Sequence, residues 1–375
     1  MITLKINDKL VSVEPGTTVL QAAGKLGFEI PQLCFIKELK PATSCMICVV
    51  KDKNNSSGCF IPSCGALAEE GMDIETDSDE VLFARKTAIE LLLSEHSGDC
   101  FAPCQRACPF HADIPGAIRF ISKKEYAKAS ELMTSCIHKK NEDELRCWKQ
   151  CEKACRRKMY DSNVNISGLG NFIKNTVTSA NISESLSPVP DGDLSKNDTG
   201  QVQFDRYIFG KVIPKHGSIM RKISEEELIV FLNSSSKENQ IDPQNKENGY
   251  NEEETIKESL RCFHCDCRKQ DNCKLRDFSE QFQAKQSAFL GARIKFEQIL
   301  LPNDVIFEPG KCIKCGICVQ ISENDGQKYG FTFLNRGFDL KVGVPFDKFD
   351  DKGLQTVINK CVEKCPTAAL AFKAL

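Results

Sequence analysis

The segments ITLKIN and LVSVE alternate apolar and polar residues, which predicts two paired strands at the start of the chain. EPGTTVLQAAGKLGFEIP follows with a turn at Pro15–Gly16, a threonine cap and a short apolar-faced helix stopped by Gly27 and Pro31. Two strands and a helix packed together suggest a β-grasp over residues 1–80. In DSDEVLFARKTAIELLLSEH, Val81, Leu82, Ala84, Ala88, Leu91 and Leu92 fall near helical spacing and predict a connecting helix that ends at His96. The runs TSANISESLSPVPDGDLSKNDTG and NSSSKENQIDPQNKENGYNEEET are polar and poor in aromatics, so residues 176–255 read as mostly flexible linker. Between the two runs, FDRYIFGKVIPKHGSIMRKISEEELIVFL predicts a hairpin or short strand, then a helix with Ser224 as N-cap and Glu227 at N3. That stretch suits a short docking segment or a small packed appendage. ETIKESLR reads as a helix, and ISENDGQKYGFTFLNRGFDLKVGVPF as alternating, strand-like segments.

Composition sharpens this picture in one respect. The chain has 375 residues, enough for roughly two to three domains, and 41% of them are hydrophobic. No apolar run approaches the ~20 residues of a membrane span. A net charge of −2 gives no global field favouring nucleic acid. Met1 leads into ITLKIND, without a charged start and apolar stretch, so a cytoplasmic location is expected. Against that plain background stand 21 cysteines and only five histidines. The cysteines come in bursts: CFIKELKPATSCMIC, CFAPCQRACP, CWKQCEKAC, CFHCDCRKQDNC, CIKCGIC and CVEKCP. Bursts fit thiolates converging on a metal or cluster, whereas disulfides join residues scattered across a fold.

Cys34, Cys45, Cys48 and Cys64 are separated by ten, two and fifteen residues. A loop-borne set of four thiolates is what a [2Fe–2S] cluster needs, although plant-type ferredoxins space the first gaps at four and two. The ten-and-two spacing, with SCMICVV and SCGALAEEGM, resembles the [2Fe–2S] domain of the large iron–sulfur subunit of NADH dehydrogenase and of related hydrogenases. That resemblance makes Cys64 the fourth ligand and leaves Cys59 as an extra thiol. In the same family a phrase like ELLLSEHSGDC opens a [4Fe–4S] site held by one histidine and three cysteines, which implicates His96 and Cys100.

FAPCQRACPFHADIPGAI, CWKQCEKACRR and VNISGLGNFI then resemble the helical two-cluster domain of the glutamate synthase small subunit, which also opens dihydropyrimidine dehydrogenase. The resemblance implies an α-helical domain over residues 81–175 with two [4Fe–4S] clusters. One would use His96, Cys100, Cys104 and Cys155, and the other Cys108, Cys147 and Cys151. The fourth ligand of the second stays open. The position matching the family's ligand is Gly170, which has no side chain, and Asn171, Cys136, His138 and His111 are the local candidates. In glutamate synthase-like proteins FAD and NADPH domains follow, but no G-x-G-x-x-G occurs in this sequence. The chain thus reads as a relative without the flavoenzyme core.

In residues 256–375, Cys312, Cys315 and Cys318 form the bacterial ferredoxin triad, and the distant Cys365–Pro366 would close a [4Fe–4S] site with them. Cys361 reads as a relic or a packing residue. FLNRGFD resembles a phrase of NADH dehydrogenase-like ferredoxin domains. Cys262, Cys265, Cys267 and Cys273 could hold zinc or a further [4Fe–4S] cluster, with His264 a spectator.

The expected architecture is therefore α+β and multidomain: a β-grasp [2Fe–2S] domain, an α-helical two-[4Fe–4S] domain, and a C-terminal ferredoxin-like [4Fe–4S] domain. The expected cofactors are one [2Fe–2S], two to four [4Fe–4S] and one optional Zn. No flavin, nicotinamide or acid–base motif accompanies them, so no catalytic residue is assigned. The function expected is an electron relay in a larger oxidoreductase of anaerobic metabolism, not an enzyme on its own. By resemblance the partners are a flavin-containing NAD(P)H diaphorase subunit and a hydrogenase, formate dehydrogenase-like or other redox subunit, with ferredoxin as a further partner. The competing readings are a redox sensor or scaffold, and an enzyme using an incompletely ligated iron as Lewis acid.

Overall fold

The two opening strands, β1 (Ile2–Ile6) and β2 (Lys9–Val13), pair antiparallel across a two-residue turn. Asn7 and Asp8 occupy that turn at φ 44° and 63°, the left-handed pair that a type I′ hairpin requires. In this computed structural model the described residues are 1–54, 59–137, 150–179, 207–208, 211–212, 223–269, 272–289, 294–326, 329–347 and 352–373. They divide into two compact units, one of residues 1–98 and 271–374, the other of residues 99–270.

In the first unit, β1 also pairs in parallel with β5 (Asp73–Glu75), which pairs antiparallel with β3 (Val49–Asp52). The antiparallel β4 (Cys59–Pro62) completes a sheet of order β2-β1-β5-β3-β4. Helix α1 (Val19–Lys25) buries Val19, Leu20, Ala22 and Ala23 against it. A capping box starts this helix: Thr18 Oγ1 accepts the Gln21 N–H at 3.3 Å and Gln21 Oε1 accepts the Thr18 N–H at 3.0 Å.

Helix α2 (Asp79–Glu95) belongs to this unit rather than to the helical one expected over residues 81–175. Val81, Ile89 and Leu93 are buried, and the Arg85 guanidinium donates to the Val49 carbonyl at 2.9 and 3.2 Å. Downstream residues complete the unit. Leu370–Phe372, Val305–Phe307 and Ile299–Leu301 form an antiparallel sheet in that order, accompanied by helices Ile317–Asn324 and Lys352–Lys364. Of the stretch expected to alternate as strands, Ile321–Asn324 is helical, while Thr332–Leu334 and Lys341–Gly343 form a hairpin.

The second unit packs helices Ile114–Ser122, Tyr126–Ile137, Ile166–Ser179 and Glu252–Ser259 around Ile114, Ile118, Ile121, Met133, Leu169 and Ile173. The expected hairpin pairs Tyr207–Ile208 with Lys211–Val212. The expected helix Glu225–Asn233 carries the Ser224–Glu227 capping box.

The polar run at 233–255 needs correction: it is anchored, not a free linker. Arg157, with no exposed side-chain surface, donates to the carbonyls of Ser236 (2.6 Å) and Glu238 (3.1 Å). The buried Glu258 carboxylate accepts the Ile241 N–H at 2.9 Å, and Tyr250 donates its hydroxyl to the Ile241 carbonyl at 2.5 Å. Backbone polar groups paired in this way no longer favour solvent. The other run, at 176–200, lies outside the described residues from 180 onward.

Candidate cluster sites

In the first unit, Cys34 and Cys45 stand on the loop before β3, Cys48 at its edge, and Cys64 just past β4. All four are buried. The Cys34 thiol hydrogen-bonds with those of Cys45 and Cys64, and Cys48 with Cys64. Contact with Cys45 and then Cys64 lowers Cys34 from the ordinary thiol range, while contact with Cys34 raises both Cys45 and Cys64. Contact with Cys64 lowers Cys48 too, to about 7, so Cys34 and Cys48 act as the acceptors and Cys45 and Cys64 as the donors of the set. Thr43 and Met46, flanking Cys45, take left-handed φ of 52° and 55°. Ser63 pins the two ligand loops together, its hydroxyl donating to the Cys48 carbonyl at 2.7 Å. Cys59 lies exposed on β4, outside this buried set.

Cys312, Cys315, Cys318 and Cys365 line one cavity, walled by Ile313, Gly316, Ile317, Pro366 and Thr367 among others. Burial pushes the Cys312 thiol up to about 11 and moves Cys315 and Cys318 in the same direction, with Cys365 adding to each. One buried and three half-buried thiols gathered round one cavity suit a core of iron cations. The loop is shaped for sulfur: Lys314 takes φ 55° and donates its N–H to Cys312 Sγ at 3.4 Å. Cys361 is fully buried in the helix Lys352–Lys364, with its thiol 3.9 Å from the Cys318 carbonyl.

The second set shares a core with half of the first, while Cys48 and Cys64 belong to the core of the sheet. Cys34, Cys45 and Cys315 are members of the same buried apolar group, and Cys34 acts electrostatically on Cys315. A reciprocal amide pair fastens the loop after Cys34 to the helix carrying Cys318. Lys40 donates its N–H to Gln320 Oε1 at 2.9 Å, and Gln320 Nε2 donates back to the Lys40 carbonyl at 3.0 Å. No burst spacing announced this pair, because it joins residues 280 apart.

His96 is 7% exposed at the end of α2. Burial and then the Lys311 charge push it down to about 3, so it is a neutral imidazole at ordinary pH. It falls in the first unit, whereas Cys100, Cys104 and Cys155 fall in the second.

In the second unit Cys104 is buried, and Cys155, Cys262 and Cys265 pack against the same core. Burial pushes Cys104 well above the ordinary thiol range, and Cys265, Cys155 and Cys262 push it further. The four residues read together from CFHCDCRKQDNC are thus divided. Cys262, Cys265 and Cys267 fall in the second unit, while Cys273 packs in the core of the first. Among the described residues no three His, Cys, Asp or Glu side chains are set to hold a single metal ion. His264, read as a spectator, has its Nδ1 3.3 Å from Arg119 Nη1.

Cys108 and Cys151 are both buried in this unit. Cys147 and His138 lie outside the described residues, as does the Cys136 side chain. Of the candidates for a fourth ligand, Asn171 is exposed. His111, at φ 50° and hydrogen-bonded through its backbone to the Cys108 carbonyl, has a buried Nδ1 without a partner. Gln105 Oε1 is buried and unpartnered as well. Two orphaned polar atoms near Cys108 in sequence are chemically suited to a metal.

None of the described cysteines is in a disulfide, and no helix among the described residues is long and apolar enough to cross a membrane. Comparison with known proteins finds two iron–sulfur domains in the chain. Residues 1–79 match the model of the 2Fe-2S iron–sulfur cluster binding domain, and residues 94–182 match domain II of dihydropyrimidine dehydrogenase, a 4Fe-4S cluster domain. The chain is 30% identical over 162 residues to one of the subunits of an NADH-quinone oxidoreductase from Rhizobium meliloti, covering 41% of this chain and 19% of that one. It is 39% identical over 105 residues to a subunit of an NADP-reducing hydrogenase from Solidesulfovibrio fructosivorans, covering 27% of this chain and 18% of that one. The chain thus spans less than a fifth of either relative. Its fold resembles a crystal structure of an NAD+-reducing [NiFe]-hydrogenase in the H2-reduced state. That match has a TM-score of 0.50 and 15% identity, covering all of this chain and 88% of that one.

Proposed function

We propose that the chain is a non-catalytic electron-relay subunit of a multi-subunit oxidoreductase. It would pass electrons between a flavin-bearing NAD(P)H diaphorase subunit and a second redox subunit of hydrogenase or formate dehydrogenase-like type, or ferredoxin. The observation that carries this reading is that Cys34 and Cys45 share one buried core with Cys315, with the exposed Lys40–Gln320 pair fastening the loop after Cys34 to the helix that carries Cys318. Its relatives are subunits of an NADH-quinone oxidoreductase and of an NADP-reducing hydrogenase.

On this reading the sheet β2-β1-β5-β3-β4 with α1 is a β-grasp carrying a [2Fe–2S] cluster on Cys34, Cys45, Cys48 and Cys64. The second unit is the helical [4Fe–4S] domain, and Cys312, Cys315, Cys318 and Cys365 serve a ferredoxin-like [4Fe–4S] site. A bound iron–sulfur cluster takes up or gives one electron at a potential set by its ligands, hydrogen bonds to sulfur and solvent exposure. The chain's own residues fix those quantities. Buried thiols supply ligands, apolar neighbours such as Ile313 and Ile317 keep water away, and the Lys314 N–H stabilises thiolate charge on Cys312.

The test is EPR on the anaerobically purified, fully reduced chain. The adjacent sets predict spin–spin splitting between the [2Fe–2S] and a [4Fe–4S] signal, which Cys312→Ser abolishes while the [2Fe–2S] signal remains. Two assembled clusters whose signals simply add would overturn the relay.

A further inference from the structure

We infer that Cys104, Cys155, Cys262 and Cys265 together hold one [4Fe–4S] cluster, with two ligands from residues 104–155 and two from the downstream C-x-x-C. This departs from the linear reading, which gave Cys104 and Cys155 to a cluster with His96 and Cys100, and left Cys262 and Cys265 to a site of their own. It rests on the reading that the second unit binds iron–sulfur clusters.

Three independent observations carry it. The first is packing: Cys104 is part of the buried core of the second unit, and Cys155, Cys262 and Cys265 all pack against that core. Cys273, needed for a separate four-thiol site, packs instead in the other unit.

The second is the fastening of the two segments at the ligands themselves. Arg157, two residues after Cys155, donates from Nη1 to the carbonyl of Arg261, the residue before Cys262, at 3.1 Å. Arg261 is buried in turn and donates to the Asn163 carbonyl at 3.2 Å and the Ser162 carbonyl at 3.0 Å. The Cys267 N–H donates to the Cys100 carbonyl at 3.2 Å, and Asp266 takes a two-pronged pair from Arg119 at 2.8 and 3.1 Å. Arg156, next to Cys155, pairs with Asp99 and also hydrogen-bonds Cys265. A buried guanidinium facing a thiolate offsets part of the negative charge that four such ligands bring.

The third is loop shape. In the C-terminal triad, Lys314 is the second residue between two cysteines, sits at φ 55° and donates its N–H to Cys312 Sγ at 3.4 Å. In CFHC, His264 is the second residue between two cysteines, sits at φ 44° and donates its N–H to Cys262 Sγ at 3.5 Å. A left-handed φ is uncommon outside glycine, and it recurs here at matching places in two C-x-x-C loops. The loop that serves a cluster at Cys312–Cys315 is reproduced at Cys262–Cys265.

The experiment is iron and zinc analysis with EPR on the anaerobically purified full chain and on single Cys→Ser variants. Cys262→Ser and Cys265→Ser should each lose about four irons and the same signal that Cys104→Ser loses, while Cys100→Ser and Cys273→Ser retain it. Loss of zinc with iron unchanged in Cys262→Ser would overturn the assignment, as would loss of the signal in Cys100→Ser with its retention in Cys262→Ser. If a variant fails to fold, cysteine alkylation mapped by mass spectrometry on the wild-type chain during stepwise iron removal decides. Labelling of Cys104, Cys155, Cys262 and Cys265 at one common rate supports the set. Labelling of Cys262 and Cys265 at a rate separate from Cys104 and Cys155 overturns it. A wild-type chain with no iron in the second unit at all would refute the cluster reading itself, an outcome distinct from either.

Discussion

Replacing Arg261 with methionine tests the scaffold behind the second unit's cysteines. Arg261 is fully buried and makes hydrogen bonds to Glu258 Oε1 (2.7 Å), Asp161 Oδ2 (3.0 Å) and the carbonyls of Glu238 (3.1 Å), Asn163 (3.2 Å) and Ser162 (3.0 Å). Its partner Glu258 is also fully buried, and burial raises its pKa despite the guanidinium. Removing one member of a buried pair strands the other and typically costs about 3–5 kcal/mol. Each factor of ten in an opening equilibrium corresponds to about 1.4 kcal/mol, so local opening should become roughly 100-fold to a few thousand-fold more frequent. Hydrogen exchange read by mass spectrometry on peptides covering residues 234–265 measures that opening without requiring reversible unfolding. The double variant Arg261→Met with Glu258→Leu should recover part of the protection, since it removes the stranded charge but still leaves the Ile241 and Asn165 N–H groups and the Glu238, Asn163 and Ser162 carbonyls without these partners. Exchange changed less than threefold in the single variant, or a double variant no better than it, would refute the argument.

Three further outcomes follow from other parts of the chain. Cys361→Ala should keep the full iron content and lose about 1 kcal/mol of stability, because the thiol is a buried packing group; loss of about four irons would make it a ligand. His96 is pushed down to about 3 in the folded chain, so the stability it contributes is full above its unfolded value near 6.5 and lost as pH falls below that. Urea denaturation should therefore show about 1.4 kcal/mol of loss per pH unit between 6.5 and 5 that His96→Gln abolishes, with iron retained; an unchanged pH slope would contradict its burial as a neutral ring. Gly98 stands at φ 109°, and a Cβ there would meet Lys311 Cε at 2.5 Å, so Gly98→Ala should cost about 1–3 kcal/mol by thermal melting, and an unchanged midpoint would count against it.

What the sequence disclosed was mostly local. The caps at Thr18 and Ser224 and the helices at 79–95 and 252–259 were legible because each depends on residues three or four apart. The Cys312–Cys365 set is proposed from the ferredoxin spacing itself, whereas the Cys34–Cys64 set rests on a resemblance to the NADH dehydrogenase [2Fe–2S] domain. Two things were not visible. The anchoring of the run around 233–250 depends on arginines donating to backbone carbonyls, and a count of polar side chains carries no information about those acceptors. The meeting of Cys104 and Cys155 with Cys262 and Cys265 is a long-range contact, to which burst spacing is blind. A signal did exist. Arg156 and Arg157 directly follow Cys155, and Arg261 directly precedes Cys262. Cations beside cysteines at both ends of a gap are what a shared anionic site would call for.

The second unit interrupts the first, leaving from Gly98 and returning at Asp271. During synthesis this makes the chain mature from the inside out. The interrupting unit has all of its residues once position 270 has left the ribosome. The core around Cys34 and Cys45 must wait, because it is finished by Val305, Ile317, Val357 and Leu370. Until then Cys34 and Cys45 lack the part of their apolar cover that those residues supply. A [2Fe–2S] cluster held at Cys34 and Cys45, as proposed, would thus be enclosed only on the arrival of residues some 300 positions later.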